Sequence, residues 1–243
     1  MENNCNPVLI LFLLALLLIE GVYSQENYTT DQLIGTYDLH LSKTDHKIHP
    51  SALEAFERMA AAAKKDGIFI KIVSGHRSYE RQQQIWDAKF KRFREEGLSP
   101  EEAVQKIITY STIPGTSRHH WGTDIDIIDA KPKPPKGLLI TKNFENNGVF
   151  CPLKEWMDKN AATYGFYLVY TNTEDRKGFN YEPWHYSYAP ISISLLNQYK
   201  KLDLKELLKN STIAGKQYIT EVFIKTYRNQ NILDINPLLL PDQ

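Results

Sequence analysis

The stretch SRHHWGTDID, residues 117–126, passes from a loop into a strand, and the prediction of the fold starts from it. Two histidines and a glycine lead into alternating polar and β-branched residues. Because successive side chains of a strand point to opposite faces, Ile125 and Ile127 share one face and Asp124 and Asp126 share the other. A strand over residues 123–128 would therefore carry two carboxylates on a single face.

Segments on both sides of this strand show the periodicity of short strands and amphipathic helices. Helices are predicted at residues 51–65, 78–96, 99–110 and 152–164, and from residue 191 onward; further strands are predicted at residues 68–73, 165–170 and 182–188. The helices do not alternate strictly with the strands, and neighbouring strands can pair antiparallel. This order predicts an α+β fold with a small antiparallel sheet flanked by helices, rather than a doubly wound sheet.

Length and charge exclude several classes of protein. A chain of 243 residues forms one large domain or two small ones. The 29 basic residues balance the 29 acidic residues, so no nucleic-acid partner is expected. Two cysteines provide no disulfide framework.

The N-terminus contains a continuous apolar run, PVLILFLLALLLI, at residues 7–19. This run is too short to cross a membrane but has the length of a signal-peptide core. We expect residues 1–24 to be a signal peptide cleaved after Ser24, although the first six residues hold no Lys or Arg. An uncleaved anchor is the main alternative, and a buried core helix is a weaker one. The mature chain would be exported, periplasmic or extracellular, with no membrane span of its own.

Three remote residues have the chemistry of metal ligands. A catalytic zinc site uses three nitrogen or oxygen ligands and keeps a fourth position open. His119 in the loop, Asp126 on the strand and His185 on a later strand can converge on one ion. Glu182 is the candidate general base. Residues three apart in a strand face opposite sides, so Glu182 reaches the site of His185 only if Pro183 breaks the alternation.

These segments resemble the zinc D-Ala-D-Ala carboxypeptidases of the VanY type, which share a core with hedgehog domains. The family pattern is Ser-x-His-x-x-Gly-x-Ala-x-Asp, followed much later by Glu-x-Trp-His. The chain has SRHHWGTDID at 117–126 and EPWH at 182–185. An upstream family pattern, Ser-Gly-Tyr-Arg-Ser-Tyr-x-x-Gln, is similar to SGHRSYERQ at 74–82. The resemblance covers about residues 50–190.

The resemblance implies a role for each matching position. His119, Asp126 and His185 correspond to the ligands of one zinc ion, and Glu182 corresponds to the catalytic base. Arg77 corresponds to an arginine that faces the substrate, where it holds a carboxylate or stabilises an oxyanion. The remaining two matching positions line the substrate side and are occupied here by Gln82 and Ser117.

The chain departs from the family pattern around the pocket. The small alanine of the pattern is Asp124 here, which could be an alternative ligand, a partner of a ligand histidine, or a residue turned from the metal. His76 replaces a tyrosine, Trp121 enters the loop, and Ser187 stands where an arginine often follows. His120 is interpreted as structural, and the charged segment 78–96 as a solvated helix face.

The resemblance implies a zinc-dependent D-alanyl-D-alanine carboxypeptidase acting on peptidoglycan stem peptides. The organisation that follows is a signal peptide at 1–24, an extended lead-in at 25–49, a zinc peptidase core at 50–190 and a C-terminal helical extension at 191–243. An L,D-carboxypeptidase or a peptidoglycan endopeptidase would use the same zinc site. A non-catalytic, hedgehog-like zinc-binding module is the alternative from a different class.

Overall fold

The computed structural model describes residues 27–37 and 39–241. The predicted signal peptide at 1–24 lies outside the described residues. The α-helices are α1 Thr30–Ile34, α2 Pro50–Lys65, α3 Tyr79–Glu95, α4 Pro100–Ile107, α5 Cys151–Asn160, α6 Ala189–Tyr199, α7 Leu204–Lys209 and α8 Glu221–Tyr227. The strands are β1 Ile70–Ser74, β2 Asp124–Asp129, β3 Phe166–Leu168 and β4 His185–Tyr188. Shorter helical turns lie at Arg118–Trp121, Thr141–Asn143, Ala161–Tyr164, Lys216–Tyr218, Arg228–Ile232 and Pro237–Leu239.

The four strands form one antiparallel sheet in the order β1-β2-β4-β3. The central strand β2 pairs with β1 through Ile72 and Ile127, and a bulge then brings Ser74 opposite Asp126. Every residue of β2 is buried, because helices and loops cover both faces of the sheet. The predicted α+β fold with a small antiparallel sheet is confirmed.

Local sequence signals determine where the helices near the cleft begin. The Ser78 side chain accepts a hydrogen bond from the Arg81 amide and starts α3 directly after Arg77. At α4, Ser99 and Glu102 cap each other's backbone amides in a capping box. The Ser78 cap sets the end of α3 that lies beside Arg77.

Two hydrophobic clusters hold the elements together. One joins α2 and α5 to the isoleucine face of β2, with Met59 and Ile125 fully buried. The other joins α3 and α4 to the C-terminal helices, with Trp86 and Leu195 fully buried. The predicted C-terminal extension therefore packs on the same core as α3, as far as residue 241.

The lead-in differs from the extended segment that was predicted. It contains the short helix α1, capped by Thr29 and Gln32, and the backbone oxygen of Leu33 accepts a hydrogen bond from Trp121 Nε1 at 3.0 Å. A segment that contributes a buried leucine and a backbone acceptor packs on the core. In the described part of the chain, no helix has the length and apolar character needed to span a bilayer.

Candidate metal centre and active-site cleft

The pairing of β2 with β4 brings together residues that lie about sixty positions apart in the sequence. Asp126 pairs with His185, and Asp124 pairs with Ser187, so these four side chains occupy one face of the sheet. The isoleucines of β2 point into the opposite cluster. The alternation read from the sequence thus places both aspartates on the site face.

His119 is held over this face by a short helical turn, Arg118–Trp121, which ends at Gly122 with a φ of 66°. That left-handed conformation favours glycine and lets the chain enter β2. The His119 carbonyl accepts a hydrogen bond from the Arg77 amide, and its Nδ1 lies 2.7 Å from the Gly75 carbonyl oxygen. A carbonyl partner makes Nδ1 the donor, so Nε2 is left to bind a metal.

Glu182 reaches the site through a turn that precedes β4. The His185 amide donates to the Glu182 carbonyl at 3.0 Å, and Pro183 lies inside the turn. The Glu182 carboxylate then lies 3.0 Å from His185 Nδ1. The strand begins at His185 instead of residue 182, so the alternation is broken as the sequence required.

His119, Asp126 and His185 form a buried cluster whose candidate ligand atoms all lie within 4.8 Å of one another. His119 Nε2 is 3.5 Å from Asp126 Oδ2, and His185 Nδ1 is 3.9 Å from Asp126 Oδ1. Asp126 Oδ1 is buried and has no hydrogen-bond partner within the described chain. A buried carboxylate oxygen without a donor is costly, and a cation would satisfy it. Two imidazole nitrogens and one carboxylate are a ligand set that fits zinc.

Asp124 contacts Nε2 of His185, whose other ring nitrogen faces Glu182. Its Oδ2 lies 2.9 Å from His185 Nε2 and accepts a hydrogen bond from Arg118 Nε at 2.9 Å, while Ser187 donates to its Oδ1 at 2.6 Å. Burial raises the pKa of Asp124, but Arg118 and His185 outweigh burial and hold that pKa below its usual value. Of the three roles open for Asp124, the geometry agrees with a charged partner that orients His185.

The cluster shifts the pKa of His185 strongly. Burial lowers the pKa, but hydrogen bonds to Asp124 and Glu182 and the charge of Asp126 raise it to about 10. The carboxylates that favour the protonated form of His185 would also favour a divalent metal ion bound among the same groups.

Arg77 lies on the wall of the cleft beside the cluster, and Ser117 lines the same cleft. Gln82 does not line the cleft, because it is fully buried behind Arg77. Its Oε1 accepts a hydrogen bond from the Arg77 guanidinium at 2.9 Å, and its Nε2 donates to the Thr112 carbonyl at 2.8 Å. The predicted contact of Gln82 with a substrate stays a prediction, and in the structure its side chain holds the Arg77 guanidinium.

The cleft has a volume of about 460 Å³, within the range of small-molecule sites. Sequence reasoning missed several of its wall residues, including Lys89, Tyr110, Tyr170 and Phe179. The ring of Tyr170 meets the ring of His185 edge-on at 5.2 Å. Tyr170 was assigned to a strand, and the motif itself gave no signal for it. The solvated helix face that the sequence predicts for residues 78–96 does not include Lys89, because Lys89 lines the cleft.

The small antiparallel sheet, the buried His-Asp-His cluster and the adjacent glutamate define the class of metal-dependent peptidase domains with a hedgehog/DD-peptidase-like fold. Residues 45–191 match the family model described as VanY, D-alanyl-D-alanine carboxypeptidase. The chain belongs to this family.

Two curated relatives from enterococci illustrate the similarity. A D-alanyl-D-alanine carboxypeptidase of Enterococcus faecalis strain V583 is 29% identical over 167 residues, which cover 68% of this chain but 56% of the relative. The chain therefore spans little more than half the length of that protein. VanXYC of Enterococcus gallinarum, a bifunctional D-Ala-D-Ala dipeptidase and D-Ala-D-Ala carboxypeptidase, is 28% identical over 176 residues, which cover 67% of this chain and 79% of the relative.

Among solved structures, VanYB in complex with D-alanine-D-alanine superposes with a TM-score of 0.51 at 26% identity. The match covers 72% of this chain and 91% of VanYB.

Proposed function

We propose that this chain is a zinc-dependent D-alanyl-D-alanine carboxypeptidase that removes the C-terminal residue of peptidoglycan stem peptides. The observation that carries the proposal is the convergence of His119, Asp126 and His185, with the Glu182 carboxylate 3.0 Å from His185, in an open cleft. Membership of the VanY family and the similarity to a protein solved with D-alanine-D-alanine support the substrate class.

The surroundings of the three candidate ligands indicate which atom of each would bind a metal. His119 would bind through Nε2 because Nδ1 faces the Gly75 carbonyl, and His185 would bind through Nδ1 because Nε2 faces Asp124. Asp126 would contribute a carboxylate oxygen. When bound, zinc supplies a Lewis acid that polarises the scissile carbonyl and makes water acidic enough to attack near neutral pH.

Glu182 carries the proton in this mechanism. As general base it accepts a proton from the attacking water, and it returns that proton to the nitrogen of the leaving amino acid. Its position in the turn before β4 keeps the carboxylate beside the ligand cluster and at the cleft wall. A carboxylate with this access to both reactants serves both transfers.

Arg77 stabilises the charge that develops on the carbonyl oxygen. Its guanidinium is fixed by Gln82 at 2.9 Å and Ser74 at 3.2 Å, so it is oriented before the substrate arrives. Fixed donors aimed at a developing oxyanion contribute about 2.7–4 kcal/mol to catalysis when measured singly. Ser117 adds a hydroxyl group to the same wall.

The test is hydrolysis of defined stem peptides by purified protein. The zinc-loaded chain should release D-alanine from a peptide ending in D-Ala-D-Ala, and a chelator should abolish the release until zinc is restored. Glu182→Gln should lower kcat at least about a hundredfold while the protein still binds zinc, because the general base is removed. Asp158→Asn, an exposed acidic position, is the matched control.

Products distinguish the proposal from its alternatives. Cleavage only of tetrapeptides would show an L,D-carboxypeptidase, and cleavage inside the stem or cross-bridge would show an endopeptidase. Zinc binding with no hydrolysis of any of these substrates would refute an enzymatic role.

We also propose that the chain is exported, since its substrate lies outside the cytoplasmic membrane and an apolar run occupies residues 7–19. Cleavage after Ser24 would leave a mature chain that begins at Gln25, which N-terminal sequencing of the cell-derived protein tests. An intact N-terminus on that protein would contradict cleavage and favour an anchor.

A further inference from the structure

Lys89 is a cation in the cleft that the mechanism above does not use. It lies on α3, the helix that begins two residues after Arg77, and its side chain is half-buried in the cleft wall. Within the described part of the chain it makes no hydrogen bond and no ion pair. Lysines on protein surfaces are normally solvated, so a half-buried lysine without a partner in a cleft calls for a ligand.

The two arginines of the cleft are each held by other side chains. Arg118 contacts Asp124 at 2.9 Å and Ser187 at 2.7 Å. Arg77 is held by two neutral side chains and lies in the field of two carboxylates, Asp126 and Glu182. Lys89 differs from both, because no side chain in the described part of the chain holds its ammonium group.

The charged groups around Lys89 do not neutralise its positive charge. Burial is the largest cause that lowers the pKa of Lys89, and the positive charges of Arg92 and Arg77 lower it further, whereas Glu182 raises it. An anion placed against the ammonium would offset the desolvation and both repulsions. The cleft therefore favours an anionic group at this position.

Lys89 lies further along α3 than Gln82, the residue that holds Arg77. Lys89 follows Gln82, which holds Arg77, by seven positions, and at about 1.5 Å per residue this is roughly 10 Å along the helix. An extended peptide covers that distance in about three residues. Ile85 and Lys89 lie about one turn apart, and both line the cleft.

We propose that Lys89 is a specificity-determining residue that binds a carboxylate of the substrate, distinct from the carbonyl that Arg77 faces. The inference rests on the proposed function, because it places a stem peptide in this cleft. Such a peptide offers two carboxylates of the same chemistry: the terminal carboxylate of the residue that is released, and the α-carboxylate of the inner D-glutamate. Binding of either would select for substrates that carry that free carboxylate.

The experiment measures binding in a background that does not turn over. Zinc-loaded Glu182→Gln protein, with and without Lys89→Met, is titrated by calorimetry with L-Ala-γ-D-Glu-L-Lys-D-Ala-D-Ala. Four forms of this peptide are used, with the terminal and the D-glutamate carboxylates each free or amidated. Lys89→Met should weaken binding of the free peptide by about ten- to a hundredfold, the range for a hydrogen bond to a charged group.

The four peptides identify the source of the carboxylate. If amidation of the terminus removes the effect of Lys89→Met, the ammonium binds the terminal carboxylate; if amidation of D-glutamate removes it, the ammonium binds the inner one. Lys89→Arg should retain most of the affinity. Lys91→Met is the matched control, because Lys91 is on the same helix but its side chain is 78% exposed.

The proposal is overturned if Lys89→Met leaves all four affinities unchanged, if it weakens all four equally, or if no peptide binds the Glu182→Gln protein. Hydrolysis by the otherwise unmodified chain is measured separately. Lys89-dependent binding without hydrolysis would refute the carboxypeptidase function while supporting the carboxylate site. Hydrolysis with a KM that Lys89→Met leaves unchanged would support the carboxypeptidase function and refute the carboxylate site.

Discussion

At the scale of single residues, Asp124 shows how a departure from the family pattern is absorbed. A carboxylate occupies a position where the pattern has alanine, and Arg118 and Ser187 surround it with donors. Together these groups satisfy a buried charge that would otherwise be expensive. The same carboxylate contacts His185, one of the three candidate ligands.

Asp124→Asn should weaken zinc binding by about ten- to a hundredfold, the usual range for an outer partner of a ligand histidine. The amide keeps the size of the side chain but removes the charge that supports His185. Competition with a chromophoric chelator of known affinity measures the change directly.

Ser187→Ala is the control for this substitution, because it removes a hydrogen bond to Asp124 without touching His185. Its effect on zinc affinity should be smaller than that of Asp124→Asn. Equal affinity of Asp124→Asn and the unmodified protein would show that the contact at 2.9 Å has no influence on the metal.

At the scale of elements, the loop before the EPWH turn is shaped by the C-terminal segment. The Lys177 and Gly178 amides both donate to the Asp234 carboxylate, at 2.6 and 3.0 Å. Gly178 lies so close to the backbone that a Cβ there would be 1.6 Å from the Gln230 carbonyl oxygen. The loop that leads towards Glu182 thus depends on residues outside the family match.

Gly178→Ala should destabilise the protein by about 1–3 kcal/mol, because backbone must move to admit the methyl group. Urea denaturation would report a lower midpoint. Lys177→Ala serves as the control, since its side chain is exposed and only its backbone amide contacts Asp234. An unchanged midpoint for Gly178→Ala would contradict the close approach.

In helix α3, the charge pattern of the sequence did not predict which polar residues face the cleft. Its charged residues predicted a solvated face, and its exposed ion pairs, such as Lys91 with Glu95, agree with that prediction. Lys89 and Gln82 instead lie on the side that forms the cleft and its support. Composition along a helix does not reveal which polar residue faces a neighbouring loop.

At the scale of the whole molecule, a buried neutral histidine makes stability sensitive to acid. His120 is fully buried, its Nδ1 donates to the Arg77 carbonyl at 2.6 Å, and its Nε2 accepts from the Gly115 amide. Burial lowers the pKa of His120 from 6.5 to about 3. The unfolded chain therefore binds more protons than the folded chain between these two pH values.

The free energy of unfolding should fall as the pH falls from 6.5 towards 3, by about 1.4 kcal/mol per pH unit from His120. The contribution is complete above pH 6.5, where the histidine is neutral in both states. Urea unfolding of chelator-treated protein at pH 7 and pH 5 measures it, and His120→Asn should lose less stability over the same interval. Parallel losses in both proteins would contradict the assignment.

The C-terminal helices also act at this scale, because they hold the loop that precedes His119. The Tyr199 hydroxyl donates to the Gly115 carbonyl at 2.7 Å, and the Tyr227 hydroxyl accepts from the Ile113 amide at 3.1 Å. Both tyrosines belong to the cluster that contains Trp86. The segment beyond the family match therefore supports the loop that carries a ligand candidate.

The sequence by itself determined the α+β class, the face of β2 that carries the aspartates, and the candidate ligand set, since strand alternation and ordered motifs are local properties. Tertiary structure decided what depends on packing between remote segments. It placed Gln82 behind Arg77, Lys89 in the cleft, and Asp124 against His185, and it packed α1 and the C-terminal helices around the site. Periodicity specifies which side of an element is buried, but not which distant residue lies against it.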